Sequence, residues 1–301
     1  MVEAVTAEEL AATPAEPPAA IRERAEAVLG WSPSSWRVVH GGYTPAARYV
    51  GARGADRCFL KVATNAVTAR MLRAEARAYQ AVSGAFMPAF LGWDDDAAQP
   101  LLLIEDLSAA RWPPPWTPAD IDQVLRETAA LHRVRAELAP ILETMPNLFG
   151  GWGFVAKDPA PFLSLGLTSA DWLRRALPAL IEADAACARD ARTVGHFDLR
   201  SDNVCFTDAG PKFVDWAAAA LGNPALDLGG WLPSLQLEGG PSPEAILPDR
   251  PDVAAVLSGY FAARAGQPVI PSAPRVRTIQ AKQLACALPW VQRALDLPAL
   301  L

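Results

Sequence analysis

The chain has 301 residues, 51% of them hydrophobic and 20% charged, with 27 basic against 33 acidic side chains and a formal net charge of −6. That balance supports a substantial buried core and excludes a disordered tail or a coiled coil. The mild acidity offers no general attraction to nucleic acid or to an anionic membrane, and no uncharged apolar run reaches the roughly 18–20 residues of a membrane span. The first residues, M-V-E-A-V-T-A-E-E-L, are acidic where a signal peptide would be basic and then apolar. Four Cys without C-x-x-C spacing and three distant His read as buried free thiols in a reducing cytoplasm rather than a zinc site or disulfide framework.

Residues 3–30 read as an Ala/Glu-rich helix, a Pro break and a second short helix ending at Gly30. Short strands follow at 36–40, 47–50 and 58–62, punctuated by Gly41-Gly42 and a Gly54-Ala55-Asp56 turn, which predicts an antiparallel meander. Over 65–83 the period becomes helical, with Met71, Leu72, Ala78, Tyr79 and Val82 on one stripe. Two further strands at 89–93 and 101–105 flank Asp94-Asp95-Asp96, either a solvated hairpin tip or a metal or substrate site. The connector R-W-P-P-P-W then opens a mainly helical half. Thr117-Pro118-Ala119-Asp120 is a capping box with Pro at the first helical position, and Thr168-Ser169-Ala170-Asp171 predicts another of the same kind. Two more helices are expected near 250–265 and 275–295. The fold class is α+β, with a small β-rich lobe over 1–106 and a larger α-helical lobe over 107–301.

The densest chemistry lies in G-H-F-D-L-R-S-D-N-V-C-F (195–206), followed by K-F-V-D-W (212–216). Residues 204–206 and 212–214 predict a hairpin turning at Asp208-Ala209-Gly210, with Asp198 and Asn203 before it and Asp215 after it. Taken singly, each Asp reads as a turn or cap residue. As a set they offer the hard oxygen ligands that suit Mg²⁺, and a loop Asp beside such a metal would accept a proton from a hydroxyl. Lys is rare: four of the 27 basic residues, with Lys61 inside the strand F-L-K-V-A. Glu75, four residues from both Met71 and Tyr79, shares their stripe. It either reaches water from the stripe's edge or needs a buried partner, for which Lys61 is the candidate.

H-F-D-L-R-S-D-N together with V-D-W, the strand Lys and the helix Glu makes the chain resemble the aminoglycoside phosphotransferase and choline kinase-like family. These are small-molecule relatives of the protein kinases. The resemblance implies a bilobal protein-kinase-like fold and an ATP- and Mg²⁺-dependent phosphotransferase, located in the cytoplasm. Its acceptor would be a hydroxyl of a small molecule: an aminoglycoside-like or other antibiotic, a sugar or an amino alcohol. Asp198 would act as catalytic base, with Asn203 and Asp215 holding the metal. Lys61, oriented by Glu75, would meet the α/β-phosphates, and backbone groups of Glu105, Asp106 and Leu107 in L-L-L-I-E-D-L would meet adenine. Gly41 and Gly42 would bring N–H groups near phosphate. Asp227 would brace the catalytic loop, His196 would brace it or serve as a base, and Arg200 would either reach the γ-phosphate or form a surface ion pair.

The chain departs from the family's pattern at Phe197, where a small Gly is common, at Ala217 and Asn223, where acids are common, and in the turn G-G-Y-T-P-A-A-R, which is not G-x-G-x-x-G. Those departures motivate a nucleotide-binding pseudokinase as the alternative; a metal-dependent hydrolase would leave Lys61 and Glu75 unexplained. For a cationic acceptor the helical lobe offers Asp171, Glu182, Asp184, Asp202 and Glu238. For a flatter, apolar one it offers G-G-W-G-F (150–154) and Trp231.

Overall fold

The computed structural model describes residues 14–40, 45–96, 98–189, 191–271 and 273–300. The chain forms two compact units, neither continuous in sequence: 1–113 with 134–138 and 202–219, and 114–133 with 139–201 and 220–301. The boundary expected between 106 and 107 is thus drawn differently, because 107–113 and a hairpin from the middle of the chain pack with the first unit.

That unit is built on a five-stranded antiparallel sheet of β1 (Ser35–Val38), β2 (Ala47–Arg53), β3 (Asp56–Val62), β4 (Phe90–Asp94) and β5 (Leu101–Ile104), in the order β1-β2-β3-β5-β4. Arg53 pairs with Asp56 across the tight β2–β3 turn, where Gly54 takes φ +58, a left-handed conformation that costs glycine little. On one face Tyr49, Cys58, Leu60, Val62, Leu101 and Leu103 pack with Ile21 and Ala25 of helix α1 (Ala19–Leu29). Helix α1 ends, as expected, at Gly30 in the left-handed conformation. The helix expected before it lies outside the described residues.

Helix α2 (Ala66–Ala81) opens on a reciprocal cap between Asn65 and Thr68. The acidic triplet is tied to arginines: Arg24 bonds Asp94 at 2.5 Å, and Arg73 grips Asp95 at 2.7–3.0 Å. A hairpin of β7 (Val204–Thr207) and β8 (Gly210–Phe213) belongs to the same unit. The Phe213 N–H donates to the Phe86 carbonyl at 2.7 Å, Lys212 Nζ to that of Met87 at 3.0 Å, and Arg111 and Phe206 exchange backbone bonds. Phe86, Phe213 and Trp216 close this docking with a buried aromatic cluster.

The second unit carries α3 (Pro118–Leu131), α4 (Ala170–Ala186), α5 (Pro224–Leu237), α6 (Pro251–Ala265) and α7 (Val276–Ala294), with a two-stranded ribbon of β6 (Thr193–Gly195) and β9 (Ala220–Gly222). Residues Val253 to Gly259 of α6 are all buried, the pattern of a helix surrounded by protein. The Thr117–Asp120 capping box forms as expected. The second one does not: α4 starts one residue later, Ser169 caps it by accepting from the Trp172 N–H, and Asp171 turns to Arg174 and Arg175. The cysteines are free, and burial pushes the Cys58 thiol up to about 11 and those of Cys187 and Cys205 to about 12. Among the described residues no helix is long and apolar enough to cross a membrane.

Candidate active site

In the first unit, side-chain alternation along β3 sends Cys58, Leu60 and Val62 into the α1 core and Lys61 to the opposite face. There Lys61 Nζ meets Glu75 Oε1 of α2 at 2.6 Å, with the two residues 7% and 2% exposed. The stripe on α2 therefore carries a paired carboxylate rather than one escaping to water. Asp215 Oδ1 lies 3.4 Å from the same ammonium. Burial pulls the Lys61 pKa down, but the carboxylates of Asp215 and Glu75 more than offset it, so the net shift is upward and the ammonium stays charged. The short contact with Glu75 is that of a charge-assisted bond.

Asp215 takes φ 67 and ψ 56, a left-handed conformation rare for a side-chain-bearing residue. It is held on both sides: the preceding Val214 N–H donates to the Asn203 carbonyl at 2.9 Å, and the following Trp216 is fully buried with Nε1 on the Phe213 carbonyl. Asn203 and Asp215 thus flank one hairpin, Asn203 buried and the Asp215 carboxylate partly exposed. Among the described residues no group of three or more His, Cys, Asp or Glu gathers around a point. The donor set fits Mg²⁺, which is commonly held by one or two protein oxygens together with phosphate.

Arg48 is a residue the sequence reading passed over. It is the cross-strand partner of Lys61, and lines a small cavity together with Lys61, Thr68, Glu75 and Asp215.

In the segment after β5, Asp106 accepts from Arg57 and Ser108, and the Glu105 carboxylate accepts from the Ala89 N–H. The Glu105 N–H goes to the Ala89 carbonyl, and the Leu107 carbonyl takes the Ala110 N–H. The Glu105 carbonyl and the Leu107 N–H make no hydrogen bond among the described residues. Gly41 and Gly42 lie outside the described residues.

In the second unit, β6 delivers fully buried His196, whose Nδ1 accepts the Asp198 N–H at 3.3 Å. That contact is a brace. Phe197 takes φ 57, and its N–H donates to Asp227 Oδ1 at 2.5 Å, while Asp227 Oδ2 meets His132 Nε2 at 2.8 Å. Asp227 on α5 therefore holds the 195–201 segment by the Phe197 backbone, with His132 behind it. The Phe197 ring lies where a side chain on Gly195 or Gly222 would stand. Asp198 keeps a side chain 40% exposed, with Arg200 Nε 3.6 Å from its Oδ1.

Ser201 donates to Glu238 Oε1 at 2.6 Å, and Trp116 Nε1 to Oε2 at 2.7 Å. This link was also missed, as was that of His132. Partners 95 residues apart for His132, and 37 and 122 apart for Glu238, leave no local pattern to read. Several acids offered for a cationic acceptor are occupied within the unit: Asp171 by arginines, Asp184 by the Gly150 N–H, and Glu238 as described. Trp152 and Trp231 are core residues, whereas Phe154 is 51% exposed.

A sheet carrying a buried Lys–Glu pair and a carboxylate on a docked hairpin, together with a helical unit, defines a protein-kinase-like fold. The APH model, that of the phosphotransferase enzyme family, matches residues 35–265; the chain belongs to this family and is a small-molecule phosphotransferase. Solved structures of similar fold include a thermostable mutant of aminoglycoside phosphotransferase APH(4)-Ia in ternary complex with ADP and hygromycin B. It is 14% identical, with a TM-score of 0.56 over 91% of this chain and 98% of that one. Choline kinase LicA from Streptococcus pneumoniae is 13% identical, with a TM-score of 0.56 over 92% and 96%. At such identities the likeness is one of fold. No curated protein sequence matches the chain.

Proposed function

We propose that this phosphotransferase moves the γ-phosphate of ATP to a hydroxyl of a small molecule. The observation that carries the reading is the buried Lys61–Glu75 pair with Asp215 beside it, in a chain of the phosphotransferase family. Lys61, kept charged and immobile by Glu75, would bind the α/β-phosphates. Asn203 and Asp215 would hold Mg²⁺, which when bound neutralises charge on the phosphate oxygens. The Glu105 carbonyl and Leu107 N–H would pair with the adenine edge. Asp198 would orient the acceptor hydroxyl and take its proton as the new P–O bond forms and the bond to the leaving ADP breaks. Arg200 would offset charge on the transferred group.

Two solved structures of this fold, both of aminoglycoside phosphotransferase APH(4)-Ia, hold ADP and AMP-PNP, which supports the nucleotide reading. No observation favours the pseudokinase. The test is an ATP-dependent phosphorylation screen of hydroxyl-bearing antibiotics, sugars and amino alcohols. The Asp198→Ala protein should bind nucleotide and transfer nothing; full activity in that variant overturns the assignment.

A further inference from the structure

Within the Lys61 cluster the charges do not stop at three. Arg48 on β2 pairs directly with Lys61 on β3, so both side chains project from the face opposite the α1 core, in which their neighbours Tyr49 and Leu60 are buried. Directly opposed like charges on adjacent strands destabilise a sheet. Here two carboxylates, Glu75 and Asp215, act on both cations, and burial works against Arg48, whose pKa is lowered by desolvation despite them. The Arg48 Nη1 also donates to the Ala46 carbonyl at 2.9 Å, where the chain enters β2. A strand that needed only this brace could use an uncharged amide. A guanidinium beside an ammonium, lining a cavity with a partly exposed carboxylate, is an arrangement suited to a multiply charged anion.

We propose that Arg48 is a second phosphate-binding cation, which makes the site select for the polyphosphate of its nucleotide rather than for the nucleoside. This inference rests on the nucleotide-site reading above. Arg48 deepens that reading by supplying a second positive charge beside that of Lys61.

The experiment measures Kd for Mg-ATP and for adenosine by titration calorimetry on the full chain and three variants. Arg48→Gln keeps an amide N–H for the Ala46 carbonyl and deletes the charge; Arg48→Lys keeps the charge and deletes the fork; Lys61→Met removes the other cation. For Arg48→Gln the adenosine Kd should stay unchanged while the Mg-ATP Kd rises about tenfold, the scale of one lost charged hydrogen bond. Arg48→Lys should recover most of that loss, which a merely bracing residue would not do. Unaltered Mg-ATP binding in Arg48→Gln, an equal loss of adenosine and Mg-ATP, or no recovery in Arg48→Lys overturns the proposal. If the unaltered protein binds no Mg-ATP, or Lys61→Met binds it equally well, the nucleotide-site reading itself fails and Arg48 falls with it.

Discussion

Phe197 occupies the left-handed region, φ 57, in the loop that leads to Asp198. Replacing it with Ala or with Gly removes the same ring, which is partly buried against Ile141, Gly195 and Gly222, so both variants lose a common packing contribution of about 2–3 kcal/mol. What separates them is the backbone. Ala keeps a Cβ that costs roughly 1–2 kcal/mol in this conformation; Gly escapes that cost but loses about 0.5–1 kcal/mol more chain entropy on folding. The net expectation is that Phe197→Gly is more stable than Phe197→Ala by about 0.5–1 kcal/mol, the reverse of the order at an ordinary helical position. The Phe197 N–H bond to Asp227 survives both changes. Denaturant midpoints followed by tryptophan fluorescence measure the difference. Equal stability, or a more stable Ala variant, would refute the claim that strain is stored at this loop.

Glu75→Gln leaves the Lys61 ammonium buried with Asp215, 3.4 Å away, as its remaining carboxylate. The loss should be about 2–3 kcal/mol, below that for a buried charge left wholly unpaired, together with weaker Mg-ATP binding by calorimetry. Burial tends to raise the Asp106 carboxyl, but hydrogen bonds from Ser108 and Arg57 outweigh it and hold the group below its usual range. Its contribution is therefore present above about pH 3.9 and is lost as pH falls through the depressed native value. The stability gap between the native chain and Asp106→Asn should accordingly be widest near neutrality and narrow progressively below about pH 3.9. Glu238→Leu frees Ser201 and Trp116; kcat should fall about ten- to a hundredfold with nucleotide Kd unchanged, and a parallel loss of nucleotide affinity would contradict a role confined to the 195–201 segment. A methyl on Gly222 would stand 2.7 Å from the Phe197 ring, so Gly222→Ala should lower both Tm and turnover.

Much of the architecture was legible because local rules govern it. The three-strand meander, the Gly30 stop, the Thr117–Asp120 cap and the late hairpin follow from period, turn residues and capping chemistry within a few positions. Where a local rule had two equivalent registers the reading slipped: Thr168 and Ser169 are both good caps, and packing of Trp172 and Leu173 into the core goes with a helix that begins one residue later. Helix α5 had no readable pattern, since Gly229, Gly230 and Pro233 lie inside it and its residues are apolar on nearly every side.

The candidate site divides along the same line. Sequence alone singled out Lys61, Glu75, Asp198, Asn203 and Asp215, because a carboxylate on an apolar helix stripe calls for a partner and oxygen donors crowd one loop and hairpin. Tertiary structure decided which of them meet and what holds them: Lys61 with Glu75 and Asp215 across 14 and 154 residues, Asp227 with His132 behind the Phe197 backbone, and Arg48 opposite Lys61. Those partnerships arise from sheet register and from the docking of a distant hairpin. Register and docking are set by the packing of whole faces, which no short stretch of sequence records.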